Sequence, residues 1–197
     1  MKAEWDIPEP IMIGYFAKPV AKRPEGLKAP QIEEICSVSE CVSGGDWDWI
    51  NDWQHNAEWV FNTGELAWSV VPEPMRQDCR LFGYRLFPVR FRGGAIEPYP
   101  LPARSDAEGM VFSPQPLDTS FERLGYDLVS RSCETSFECS PLSCNYLAEE
   151  VPTNRHCLLA TAEEAFALAP TLDVPGKPMR GEPGPYHIVE VWRKRRS

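Results

Sequence analysis

Five residues in the last third of the chain are of types that bind metal ions. They are Cys133, Cys139, Cys144, His156 and Cys157, with the spacing C-x5-C-x4-C-x11-H-C. A structural zinc site needs four nitrogen or sulfur ligands in a tetrahedron, usually delivered by tight cysteine pairs. No tight pair is present, and in an extended segment His156 and Cys157 would point to opposite faces. The four cysteines are still candidate zinc ligands. The competing interpretation is that they are buried apolar thiols.

A second interpretation makes Cys144 a catalytic nucleophile. It falls in the first turn of a helix predicted over residues 143–150, where the helix dipole favours a thiolate. His156 or His187 could act as the base, and Asn145 or Asp127 could orient that base. The residues around Cys144 carry no local signature of a cysteine hydrolase, so packing at a helix start is the competing interpretation.

The number of cysteines indicates a reducing compartment. Seven is odd, so at least one thiol has to stay free, whereas secreted proteins of this size usually pair their cysteines evenly. The first ten residues lack the order of a signal peptide, and no apolar run approaches the length of a membrane span. We therefore expect a cytoplasmic protein with reduced thiols and no membrane contact. Cys36 and Cys41 could add two metal ligands from elsewhere in the chain.

The stretch from residue 29 to 75 is acidic and rich in tryptophan. It holds nine acids, five of the seven tryptophans, and no Lys or Arg. Carboxylates around aromatic anchors are typical of a surface that docks a basic partner. The alternative is that the tryptophans are core and the acids keep the outside soluble. The candidate partner-binding residues are Asp46, Trp47, Asp48, Asp52 and Glu58.

Other common functions are disfavoured by charge and by missing motifs. The net charge of −9 argues against broad nucleic-acid binding through phosphate contacts. The basic residues 193–196 follow a predicted strand and read as a solubilising end. The chain has no P-loop, no dinucleotide-binding glycine motif, no HExxH motif and no EF-hand loop.

The elements that must position these residues predict an α+β fold. Strands are predicted over residues 11–17, 80–91, 126–130, 155–160 and 186–192, and weakly over 35–42. Short helices are predicted over 47–54 and 143–150, and a Thr161/Glu164 capping box begins a third. The order β-α-β-α-β at the end favours a mixed β-sheet with short helices mainly on one face. No internal repeat is visible.

The proline distribution sets the expected domain organisation. Residues 93–116 hold five prolines without periodicity, which predicts a long loop near the middle of the chain. We expect one domain over residues 1–197, with a possible division into an acidic part, 1–92, and a βαβαβ part, 117–197.

These features favour a non-enzymatic binding protein, such as an adaptor, inhibitor or immunity-type protein. Its expected partner is a basic protein, for example a nucleic-acid-binding protein, held by the acidic surface. The alternatives are a cysteine-dependent enzyme with Cys144 as nucleophile, and a structural zinc domain built on the C-terminal cysteines.

Overall fold

The protein has an α+β fold. The computed structural model describes residues 6–43, 55–101, 112–132, 137–176 and 180–196. The strands are β1 (Ile11–Pro19), β2 (Ala21–Lys22), β3 (Glu34–Ile35), β4 (Cys79–Arg92), β5 (Ala95–Pro98), β6 (Phe121–Ser130) and β7 (Tyr186–Lys194). The helices are α1 (Glu40–Ser43), α2 (Gly64–Ser69) and α3 (Ala162–Leu168), with single 3₁₀ turns at Glu73–Met75, Leu147–Glu149 and Ala169–Thr171. No helix in these ranges is long and apolar enough to cross a membrane.

The main sheet has the order β1-β4-β7-β6, with β5 paired to β4, and β2 and β3 form a separate pair. The pairings between the described strands are all antiparallel, where a mixed sheet was expected. The difference arises because the predicted strand at residues 155–160 is mostly turn and bend, touching β6 through a single Tyr126–Leu159 bridge. Without that strand, β6 and β7 pair directly.

Register places the two longer helices on the same face of the sheet. Tyr15 pairs with Gly83, and Tyr126 and Arg85 both pair with Glu190, so the two tyrosines face the same way. Helix α2 begins beside Tyr15, and Phe166 of α3 packs edge-on against the ring of Phe87, beside Tyr126. The opposite face carries a second apolar layer and is covered by the segment around residues 36–38.

Several other predicted elements differ in extent. The capping box of α3 is confirmed, since the Thr161 side chain accepts from Glu164 and the Glu164 carboxylate accepts from Thr161. The helix predicted over 143–150 shortens to the 3₁₀ turn Leu147–Glu149. Of the strand weakly predicted over 35–42, only residue 35 lies in β3, and residues 40–42 lie in α1. The loop predicted over 93–116 begins with a hairpin between β4 and β5. Residues 102–111 of that loop and the predicted helix 47–54 lie outside the described ranges.

The structure reveals a duplication that the sequence analysis missed. Strands β1 and β6 each carry a glycine followed by tyrosine, at Gly14 and Gly125, and each glycine lies at a register shift with φ of 146° or 149°. A Cβ on either glycine would lie 2.5 or 2.6 Å from the carbonyl oxygen of Phe61 or Leu159. Both edges of the sheet are therefore built around the same close backbone approach.

An asparagine turn accompanies each glycine. The amides of Asn56 and Asn154 donate to the carbonyl of the residue before the glycine, at 2.9 and 2.7 Å. Three residues later Trp59 and Cys157 adopt left-handed φ values of 59° and 61°. A threonine N-cap and a helix follow in both cases. The chain is thus two related halves, each a strand, an asparagine turn, a helix and a returning strand.

Candidate functional site

Three cysteine sulfurs converge beside strand β6, and we name Cys41, Cys139 and Cys144 the three-thiol site. All three sulfurs lie within 4.8 Å of one another, and those of Cys41 and Cys139 are 3.5 Å apart. Cys41 is exposed, Cys144 half-buried and Cys139 buried. The site is therefore reached from solvent on one side and closed by protein on the other.

Backbone contacts bring these distant segments together. Cys139 lies in a one-residue bridge to Ser130 at the end of β6. The N–H of Glu40 donates to Phe137 at 2.8 Å, and the N–H of Cys41 donates to Glu138 at 3.4 Å. The chain then turns so that the N–H of Cys144 donates to the Ser140 carbonyl at 2.8 Å. These contacts hold helix α1, which carries Cys41, against the segment that carries Cys139 and Cys144.

Hydrogen bonds concentrate negative charge on one of the three sulfurs. Donation from the Cys139 thiol is the largest of the effects that lower the pKa of Cys144 to about 5. Burial opposes that shift, and the Ser140 N–H with the hydroxyls of Ser39 and Ser143 supports it. The pKa of Cys139 is raised, chiefly because its thiol donates to Cys144. Burial is the main cause of the raised pKa of Cys41.

A line of hydroxyls connects Cys144 to a buried carboxylate. The Ser39 hydroxyl lies 3.7 Å from the Cys144 sulfur and 3.1 Å from the Ser37 hydroxyl. Ser37 donates to Asp127 at 2.5 Å, and Ser140 donates to the other carboxylate oxygen at 2.6 Å. Asp127 is completely buried, and this burial raises its pKa. The carboxylate holds the two serine-bearing segments that surround the sulfurs.

Another group of ligand types, Glu34, Cys36 and His156, lies within the same 4.8 Å limit. We name it the mixed cluster. The His156 ring nitrogen and the Arg193 guanidinium contact the same oxygen of Glu34, at 2.7 and 2.6 Å. Burial raises the pKa of Cys36 to about 12, so its thiol stays protonated. A cation already occupies the carboxylate, and a second cation would be repelled.

The structure brings together only part of the predicted zinc set. Cys139 and Cys144 meet, but their third partner is Cys41, which the sequence offered only as a distant addition. Cys157 packs in the apolar core with Tyr126 and Leu159. Cys133 lies outside the described residues. A serine lies within two residues of Cys41, Cys139 and Cys144, but also next to Cys36 and Cys133, so the sequence carries no local signal specific to this site.

The histidines proposed as bases are engaged elsewhere. His156 belongs to the mixed cluster. It is separated from Cys157 because Cys157 adopts a left-handed backbone conformation, and not because the two residues alternate along a strand. His187 is buried with its ring 4.6 Å from that of Tyr99, and burial lowers its pKa to about 3. Asp127, a proposed orienting residue, contacts hydroxyls and backbone N–H groups.

The acidic partner-binding candidates divide into two groups. Asp46, Trp47, Asp48 and Asp52 lie outside the described residues. Glu58 is in the interior instead of on a docking surface: it forms an ion pair of 2.6 Å with Arg131, and both side chains are 1% exposed. Burial raises the pKa of Glu58, and the Arg131 charge opposes that rise. A carboxylate paired in this way is not available to a partner.

No protein-family model, curated protein or solved structure matches the chain. The functional conclusion therefore depends on the residues of the three-thiol site and their contacts.

Proposed function

We propose that the protein binds one thiophilic metal ion, zinc, through Cys41, Cys139 and Cys144. The observation that supports this is the convergence of three sulfurs within 4.8 Å. Zinc–sulfur bonds of about 2.3 Å at tetrahedral angles place sulfurs about 3.8 Å apart. Small side-chain rotations would therefore suit the ion, and the Cys144 thiolate supplies a first ligand near neutral pH.

The proposed role of the ion is structural. It would join helix α1 to the segment after β6, two parts of the chain 98 residues apart. Within the described residues the three-thiol site contains no histidine or carboxylate ligand, which is typical of sulfur-rich structural zinc sites. Binding free energy at such a site contributes directly to folding free energy.

Part of the predicted docking surface lies close in sequence to the proposed metal ligand Cys41. Asp46, Asp48 and Asp52 begin five residues after Cys41 in the sequence. We propose, as the second part of the function, that these acids dock a basic partner.

One observation favours a different function, in which Cys144 is a nucleophile. Its pKa is lowered and its side chain is half-buried, both of which suit a reactive thiol. The two functions predict opposite effects of metal. A zinc ligand is protected from alkylation when zinc is added, whereas a free nucleophile continues to react with iodoacetamide.

A competition titration of the zinc-free, reduced protein against a chromophoric chelator tests the proposal. We expect one tight zinc equivalent in the wild-type protein and a loss of about 100-fold or more in affinity in Cys139→Ser. Cys157→Ser is the matched control, because its thiol is also buried but lies in the apolar core. Equal affinity in the wild type and Cys139→Ser would overturn the proposal. Cys133→Ser in the same titration measures whether Cys133 is the fourth ligand.

A further inference from the structure

A cavity of about 720 Å³ lies between helix α2 and the ends of strands β4 and β7. A neighbouring cavity of about 470 Å³ shares four of its residues: Arg80, Lys194, Arg195 and Arg196. The two cavities therefore form one continuous groove with basic side chains along their common border. We name this the basic groove; it is separate from the three-thiol site.

The charge of the groove contrasts with that of the chain. The larger cavity is lined by five cationic side chains, the four shared ones and Arg76, against the two acids Glu65 and Asp118. The smaller cavity adds Arg155 and Arg193 against Glu34 and Glu122, so cations outnumber acids in the whole groove. The whole chain carries a net charge of −9. Positive charge gathered in a concave surface attracts small anions more strongly than the same charges spread over a convex one.

Arg76 and Arg80 at the rim are held by backbone carbonyls, which leaves most of their donors available, whereas Arg195 donates to the Thr119 carbonyl and lies 3.9 Å from a Glu122 oxygen. Arg76 donates from Nε to Val71 at 3.1 Å. Arg80 donates from one terminal nitrogen to Gln77 and Cys79. A guanidinium has five N–H donors, so each retains several that could meet an anion. Arginine held in this way suits bidentate recognition of phosphate.

The floor of the groove is aromatic. Tyr15 and Phe121 pack with their ring centroids 5.6 Å apart, and the Tyr15 hydroxyl donates to the carbonyls of Gln115 and Pro116. Trp68, partly exposed on α2, lines the same cavity. Because Tyr15 and Phe121 are only 4% and 6% exposed, Trp68 offers most of the aromatic surface that a ligand can reach. Aromatic surface beside a basic rim suits a ligand that joins a planar ring to an anionic group.

We propose that the basic groove binds a nucleotide, with its base over the aromatic floor and its phosphates at Arg80, Lys194 and Arg195. A mononucleotide fits the volume of the larger cavity. A long polyanion fits the protein less well, because the net charge of −9 would repel it. The proposal does not depend on the metal site.

Calorimetric titration with ATP at low ionic strength tests it. We expect ATP to bind more tightly than adenosine or tripolyphosphate, because each of those offers one half of the interaction. Lys194→Gln/Arg195→Gln should weaken ATP binding by about tenfold or more. The matched control, Lys28→Gln/Arg180→Gln, removes the same charges from an exposed and a partly exposed position outside the groove and should change the affinity less than twofold.

Four outcomes would overturn the proposal. They are no binding at millimolar ATP, equal weakening in both double variants, tripolyphosphate binding as tightly as ATP, and an oligoglutamate peptide binding more tightly than ATP. All four substituted side chains are at least partly exposed, so we expect each variant to be folded. Thermal unfolding of each variant checks this.

Discussion

The three-thiol site and the mixed cluster present metal-ligand atoms at the same spacing, yet only one of them suits an ion. In both, three ligand atoms lie within 4.8 Å of one another. Among the described residues, none that contacts the three thiols is a cation. In the mixed cluster, Arg193 and His156 share one oxygen of Glu34. Proximity of ligand types is therefore insufficient evidence for a metal site.

The difference lies in which protons and charges the protein already holds. A metal ion must displace whatever neutralises its ligands. In the three-thiol site, the groups to be displaced are two thiol protons, on Cys41 and Cys139. In the mixed cluster they are a fixed guanidinium and the proton of Cys36, whose pKa burial raises to about 12. Displacing a half-buried guanidinium from its carboxylate is the costlier exchange.

The largest effect we expect is the pH dependence of zinc affinity at the three-thiol site. Because the pKa of Cys144 is lowered to about 5 while those of Cys41 and Cys139 are raised, binding near neutral pH releases two protons. Protons compete with the metal, so the affinity should fall by about 100-fold for each pH unit lowered between pH 8 and pH 6. Competition titrations at several pH values measure this slope. A pH-independent affinity would exclude thiol ligands, and the release of three protons in Cys133→Ser would show that Cys144 is protonated without metal.

Replacing the guanidinium should convert the mixed cluster into a metal site. Arg193→Gln frees the Glu34 carboxylate and removes the repelling charge, so we expect a second, weaker zinc equivalent. Arg155→Gln is the control, because it removes a nearby charge that is paired with Glu33 instead. If neither variant gains an equivalent, Arg193 is not what separates the two clusters.

The pKa of His156 should report the same charges. Burial is the main cause of its lowered pKa, with Arg193 acting in the same direction and Glu34 in the opposite one. Glu34→Gln should therefore lower the pKa of His156 further, and Arg193→Gln should raise it. With three histidines in the chain, an NMR titration of the ring protons can resolve this one. Shifts of the opposite sign would show that the ion contacts differ in solution.

The smallest effect concerns the hydroxyls around Cys144. Ser39→Ala removes one hydrogen bond to the thiolate and should raise the pKa of Cys144 by about one unit or less. The rate of iodoacetamide labelling against pH gives that midpoint in the metal-free protein. Ser69→Ala, an exposed serine on α2, should leave it unchanged. An unchanged midpoint in Ser39→Ala would show that the Ser39 hydroxyl does not lower the pKa of Cys144.

Local patterns predicted the elements that depend on local physics. Alternation and β-branched residues indicated β1, β4 and β7, and the Thr161/Glu164 pair indicated the start of α3. The apolar run at 155–160 was wrongly predicted as a strand because a tertiary contact decides its shape. The Asn154 amide binds the Leu124 carbonyl, and the left-handed Cys157 turns the chain. The corresponding turn at Asn56 shares too few residues with the turn at Asn154 for the duplication to be visible in the sequence.

The candidate site was predictable only in part. Cys139 and Cys144 are near in sequence, so their meeting could be foreseen. Cys41 joins them through backbone contacts between α1 and the segment after β6, which no spacing rule encodes. Glu58 was assigned to an acidic surface from its neighbours, but its partner Arg131 lies 73 residues away. Charge bias describes a segment, whereas burial is decided residue by residue.

The most direct test of the three-thiol site is zinc K-edge X-ray absorption of the zinc-loaded protein. We predict a first shell with at least three sulfur ligands at about 2.3 Å, and the loss of one sulfur in Cys139→Ser. A first shell of nitrogen and oxygen alone, at about 2.0 to 2.1 Å, would contradict the proposed site.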